Sequence, residues 1–180
     1  MIELAAHILD IAENSVRAGA KLIEIKINED TANDSLCIKI IDDGQGMEPE
    51  EIKKALDPFY TTKTVRRVGL GLPLLADATQ RSGGHLNLES QKGKGTTLQA
   101  TFGLSHVDRQ PLGDIINTLI ILIAGNSNVD FIYKHKHDGQ QFELDTRIIR
   151  KEIDDIPINH PEILKYIRGV LKEGFEEIKK

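Results

Sequence analysis

Two short segments constrain the architecture more than any other part of the chain. In residues 22–28, Ile23, Ile25 and Ile27 alternate with Glu24, Lys26 and Asn28, and in residues 35–41 Leu36, Ile38 and Ile40 do the same. A period of two places the apolar side chains of a strand on one face. The turn-rich run NEDTANDS between them predicts a hairpin. Strands with one apolar face need helices on that face alone, so the pair predicts a two-layer α/β sandwich with a mixed or antiparallel sheet.

The rest of the chain supplies the helices. Ile2, Ala5, Leu9, Ala12 and Val16 recur at steps of three and four, which predicts a helix over 2–18 that Gly19 stops. Pro49 opens a short helix over 50–56. Residues 57–71 show no periodicity and read as a long loop. A helix over 72–81 follows, with Pro73 near its start and Gly83-Gly84 beyond its end. Residues 85–89 and 96–102 read as a second hairpin. Beyond a connector over 104–114, residues 115–124 predict a buried helix. Residues 129–136 and 140–146 flank the turn signal Asp138-Gly139. Asn159-His160-Pro161-Glu162 opens a last amphipathic helix, with Ile163, Ile167, Val170, Leu171 and Phe175 on one face. The expected fold class is therefore α/β (α+β): a sandwich over 1–103 with a C-terminal α+β extension over 104–180.

Composition excludes several classes. An apolar fraction of 39% beside 28% charged residues predicts a packed core rather than disorder. The net charge of −5 argues against a nucleic-acid partner, which favours a basic face. Cys37 stands alone, so no internal disulfide forms and no cysteine pair can build a zinc site. The opening MIELAAHILDIAEN has early acids and no basic run, which predicts no signal peptide. The apolar stretch 115–124 is far below the roughly 20 residues of a membrane span. A cytoplasmic globular protein is expected.

Four strings carry chemistry. Asp10 and Asn14 are four apart and share a helix face, and His7 leans toward it. The Asn14 amide oxygen suits Mg²⁺, and Asp10 can orient or deprotonate a nucleophile; a solvated helix face is the plain alternative. Asp42 ends a strand before Asp43-Gly44-Gln45-Gly46, where a carboxylate can accept from an exocyclic amine and glycines admit a flat base. Gly69 and Gly71 precede a helix start, a place that receives anions, and Lys63, Arg66 and Arg67 add positive charge nearby. No GxxxxGK[ST] string occurs, and Gly69-x-Gly71 lacks the third glycine of a dinucleotide fingerprint. Thr96 and Thr97 begin a strand after KGKG.

Taken in order, these strings resemble the GHKL ATPase superfamily, the histidine-kinase-like ATPases of the Bergerat fold. LDIAENSVRAGA resembles the family's N box, DDGQGM its first Gly box, GLGLPLL its second, and GKGTT its Gly-Thr box. DPFYTTK is similar to the stretch before the lid in histidine kinases. The resemblance covers residues 7–103 and implies a site for ATP and Mg²⁺. It implies that Asn14 coordinates the metal and that Asp42 binds adenine N6. Gly44 and Met47 belong to the same box, and Gly46 and Thr96 line the base pocket. Gly69, Leu70, Gly71 and Leu72 offer backbone N–H groups to the phosphates, with Lys63 as a lid contact. The family often has Glu as general base four residues before the Asn. Asp10 stands there, one methylene shorter, which bears on hydrolysis more than on ATP binding.

The sequence opens at the N-box helix, so upstream dimerisation helices with a phosphoacceptor histidine are not expected. His7, inside the ATP-site helix, does not replace it. The resemblance therefore implies a kinase module of the histidine-kinase or anti-sigma type that phosphorylates a partner protein. The alternative is an ATP-gated interaction module. ENSVRAGA also looks like a mismatch-repair N box, but a DNA-repair ATPase needs a sizeable transducer domain and a basic surface. His135 and His137 share a strand face, read as solvated because a third metal ligand is not evident. The extension either packs on the open side of the sheet or builds a homodimer or partner surface.

Overall fold

The computed structural model describes residues 3–57 and 71–179. Helix α1 (Leu4–Arg17) leads into the hairpin β1 (Leu22–Asp30) and β2 (Ser35–Asp42), then the short α2 (Pro49–Ala55). Helix α3 (Gly71–Arg81) precedes the hairpin β3 (Leu86–Gln91) and β4 (Gly95–Gly103). Next come α4 (Ile115–Gly125), β5 (Asp130–His137), β6 (Gln140–Asp145), α5 (Thr146–Ile153) and α6 (Pro161–Glu177). The loop expected over 57–71 lies almost wholly outside the described residues.

The six strands form one mixed sheet in the order β3-β4-β2-β1-β5-β6. All neighbours are antiparallel except β1 and β5, which run parallel with Ile23 beside Phe131 and Ile25 beside Tyr133. The registers align an apolar row across the whole sheet: Leu88, Leu98, Ile40, Ile25, Tyr133 and Leu144. Helices cover this face. Ile23, Ile25 and Ile27 are buried there as their alternation predicts, together with Leu4, Ile8, Leu75, Leu119 and Ile167 from the helices. The opposite face of β1 and β5 carries charge, with Glu24 bridging Lys26 at 2.9 Å and Lys134 at 3.6 Å. Such surface pairs add little stability, but they keep that face wetted. The two-layer α/β arrangement is the one the strand pattern demands.

Residues after 103 extend both layers. β5 takes the free edge of β1, α4 packs on α1, and α6 packs on α4 and β6. Phe175 of α6 stacks on Tyr133 with ring centroids 6.0 Å apart, so α6 covers the same face as α1 and leaves the open side open. Asp138 and Gly139 both have positive φ, as a two-residue hairpin turn requires.

Two expectations need correction. The strand expected over 140–146 stops at Asp145, whose carboxylate accepts from Arg147 N at 2.9 Å and caps the unforeseen helix α5. The second concerns His135. Its register partner Ile27 belongs to the covered face, so His135 is fully buried rather than solvated. Its Nε2 lies 2.7 Å from Glu29 Oε1 and its Nδ1 2.8 Å from the Tyr133 hydroxyl. The His135–Glu29 bond holds the Glu29 carboxyl below its ordinary range.

Candidate active site

The helix-covered face changes character at one end of the sheet. There the cross-strand row reads Ser90, Thr96, Asp42, Ile23, so three polar side chains stand where the neighbouring row is apolar. A cleft of about 490 Å³ opens over this end, between α1, the loop after β2, α2 and the start of α3. Ile40, Leu88 and Leu98 give it an apolar floor. Asp10, Asn14, Asp42, Gly46, Met47, Gly71, Leu72 and Thr96 all line it, so residues far apart in sequence meet on one surface. Gly44 is buried beside Asp42 without lining the cleft. Lys63, Gly69 and Leu70 lie outside the described residues, as does most of DPFYTTK.

Asp42 is the buried charge of the cleft, 9% exposed. A buried carboxylate needs donors, and it has two. Gly44 N donates to Oδ1 at 2.9 Å and Ser15 Oγ donates to Oδ2 at 2.7 Å. An ionised carboxylate accepts about four hydrogen bonds, so capacity remains for a ligand. The loop beyond it is fixed from the other hairpin. Ser90 Oγ accepts from Met47 N at 2.9 Å and lies 2.9 Å from Thr96 Oγ1. Gly46 has φ +63°, and a Cβ there would overlap the Gln91 carbonyl, so no other residue lets the loop lie so close to β3.

At the other end, α1 meets α3. A Cβ on Gly71 would overlap the Asp10 carboxylate, so the missing side chain lets Asp10 rest against the first residue of α3. The N-terminus of this 11-residue helix carries the positive end of its dipole, which favours an anion. Asn14 Oδ1 accepts from Arg17 Nη1 at 2.7 Å, and Arg17 Nη2 reaches Glu13 at 2.9 Å. Among the described residues no group of three or more His, Cys, Asp or Glu can hold a metal. The Asn14 amide oxygen and the Asp10 carboxylate both line the cleft, and oxygen donors of this kind suit a hard ion such as Mg²⁺ that keeps several waters, with the Arg17 bond to Asn14 giving way to the ion.

His7 does not share the cleft. It is buried, and its Nε2 lies 3.0 Å from Gln110 Oε1 in the connector. Burial pulls its pKa below the ordinary value of 6.5, and the Gln110 bond only partly offsets this. Sequence reading passed over Ser15, Arg17 and Ser90. Ser15 directly follows Asn14, but only the meeting of α1 with the end of β2 gives it a role. Arg17 shares the three-residue helix step with Asn14, a signal that was readable.

The family model described as histidine kinase-, DNA gyrase B-, and HSP90-like ATPase matches residues 2–106. The chain belongs to this family. Among relatives of this ATPase domain, sporulation kinase C of Bacillus subtilis (strain 168) is 31% identical over 102 residues, 57% of this chain and 24% of that protein. Sensor protein kinase FleS of Pseudomonas aeruginosa is 33% identical over 112 residues, 62% of this chain and 27% of that protein. DNA mismatch repair protein MutL of Clostridium perfringens is 50% identical over 54 residues, 30% of this chain and 8% of that protein. The chain thus spans about a quarter of the length of the two kinases. The N-terminal domain of a DNA repair protein superposes with a TM-score of 0.56 at 17% identity, covering 81% of this chain and 53% of that one. That likeness is one of fold. What this chain shares with histidine kinases and MutL is the histidine-kinase-like ATPase domain, the family's unit for binding ATP. Among the described residues no helix is long and apolar enough to cross a membrane.

Proposed function

We propose that the chain is a Mg²⁺-dependent, ATP-binding protein kinase module that passes the γ-phosphoryl group to a separate partner protein in the cytoplasm. The observation that carries this reading is the cleft. It brings an anchored carboxylate, Asp42, together with Asp10, Asn14 and the start of α3 on the walls of one apolar-floored cavity. Residues 1–103 form the nucleotide-binding unit and 104–180 an extension that braces it and faces partners or a second copy. Asp42 accepts from the base amine, over a floor shared with Gly46, Met47 and Thr96. Backbone N–H groups from Gly71 and Leu72, with Gly69, Leu70 and the Lys63 ammonium, receive the phosphates. Asn14 gives its amide oxygen to Mg²⁺, which neutralises phosphate charge when bound. Asp10 positions the attacking hydroxyl or imidazole of the partner and takes its proton. Catalysis by this chain is then positioning and electrostatics.

Incubation with γ-labelled ATP, Mg²⁺ and cell extract tests the reading. Label on a partner protein is expected. Extracts that stay unlabelled across growth conditions would remove the kinase activity. One feature favours a second reading, an ATP-gated interaction module with little turnover: α1, which lines the cleft, packs directly on α4 of the extension. Nucleotide bound at α1 then biases a surface built by the extension. ATP-dependent capture of a partner without label transfer supports that reading. The similarity to MutL motivates a third, a DNA-repair ATPase, for which ATP hydrolysis stimulated by DNA is the expected sign.

A further inference from the structure

The hydroxyl of Ser15 has no part in the scheme above, yet it is 5% exposed and lies at the cleft wall. A buried serine in a helix usually satisfies itself by donating to the carbonyl four residues back. Here that carbonyl, Ile11 O, is 3.3 Å away, while Asp42 Oδ2 is 2.7 Å away. A hydroxyl has a single proton to give. The shorter partner is also the charged one, and charge-assisted bonds are the stronger. Ser15 therefore gives its proton to Asp42, across the gap between α1 and the end of β2.

That choice has a consequence for the cleft. Asp42 is held at both oxygens, by Gly44 N on Oδ1 and by Ser15 Oγ on Oδ2. Its plane is then fixed by two elements that do not move together by necessity, the helix and the glycine loop. The Ser15 oxygen, having donated, turns only lone pairs outward. At Asp42 the corner therefore presents acceptors, the free lone pairs of the carboxylate and of Ser15 Oγ. A ligand edge with an N–H₂ group meets it well, and a ligand edge with a carbonyl meets it with repulsion and an unpaired buried acceptor, which is costly.

We propose that Ser15 is a specificity-determining positioning residue, which locks the Asp42 carboxylate as a fixed acceptor and so selects a 6-aminopurine over a 6-oxopurine. The proposal rests on the reading that Asp42 faces the base. Without the serine proton Asp42 keeps one anchor and can turn away, so the penalty against a carbonyl falls along with the gain from an amine.

Titration calorimetry of the full chain with Mg²⁺ and either ATP or inosine triphosphate tests this, because inosine triphosphate carries a carbonyl in place of the adenine amine. Ser15→Ala is expected to weaken ATP by about tenfold, the size of one hydrogen bond to a charge, and to leave inosine triphosphate within about twofold. Ser15→Thr keeps the hydroxyl and is expected to restore the preference. In the Asp42→Asn background the Ser15→Ala change is expected to have no further effect on the ratio of the two affinities. Thermal unfolding checks that each variant is folded; if Ser15→Ala is not, Ser15→Cys, a weak donor of similar size, reads the same ratio. A Ser15→Ala chain that loses both nucleotides in equal proportion, or neither, overturns the role of Ser15. An Asp42→Asn chain with the wild-type ratio overturns the base reading itself, and the two failures are told apart by which variant is silent.

Discussion

Asn14 and His7 sit two turns apart on the same helix and do opposite things. Asn14 lines the cleft, with its amide oxygen accepting from Arg17, whereas the His7 ring is buried against Gln110 of the connector. Asn14→Ala should leave unfolding within about 0.5 kcal/mol of wild type, as expected of a partly exposed site outside the core. It should also abolish the gain in ATP affinity on adding Mg²⁺. Calorimetry with and without chelator measures the difference; an undiminished gain removes Asn14 from the metal. His7 predicts a pH effect instead. Its neutral form is favoured in the folded chain, so above 6.5 both states are neutral and it adds no slope. As pH falls below 6.5 the unfolded chain takes a proton that the folded chain refuses, and stability declines until the lowered folded value is passed. One group gives at most about 1.4 kcal/mol per pH unit. Denaturant midpoints between pH 7.5 and 5.5 should fall in wild type and flatten in His7→Leu. Glu29 acts in a separate window, below 4.5, so it does not mask the effect. Sequence alone singled out Asn14 and Asp42, because their strings keep a fixed order, and both line the cleft. It did not expose Ser15 or the burial of His135, because both depend on which strand lies beside which, and a register is not written in either strand alone.

Between elements, one close approach at the site is that of α3 to α1. It exists because residue 71 has no side chain. Gly71→Ala forces a methyl into the Asp10 carboxylate, and overpacking of that kind costs on the order of 1–3 kcal/mol if nothing moves. The cheaper escape is rotation of Asp10 away from α3. The expected result is a folded chain that binds ATP and has lost most of its turnover or label transfer. Parallel losses of fold and function would mean that the helices themselves separated. The elements were mostly legible: α1, the two hairpins before residue 103 and α6 follow from period and turn residues. Helix α5 was not, since its eight residues carry no glycine or proline mark and only Asp145 signals the start. That β5 would seat beside β1 was equally hidden, since a parallel neighbour needs no turn to announce it.

For the whole molecule, the sheet crosses the boundary at residue 103 without a break. Removing residues 104–180 bares the edge of β1 and uncovers the part of α1 that meets α4. The shortened chain is expected to lose cooperative urea unfolding and to associate through the open edge. A monomeric fragment with a sharp transition and intact ATP binding would show that the first part stands alone. The same parallel seam governs the order of events during synthesis. Ile23 leaves the ribosome early, and Phe131, its neighbour in the finished sheet, leaves late. Until then the nascent chain carries an unsatisfied strand flank, and such long-range closure is slow and prone to stray association. A message cut short near its middle is expected to yield a sticky intermediate in place of a smaller folded domain, which ties production of this protein to completing translation.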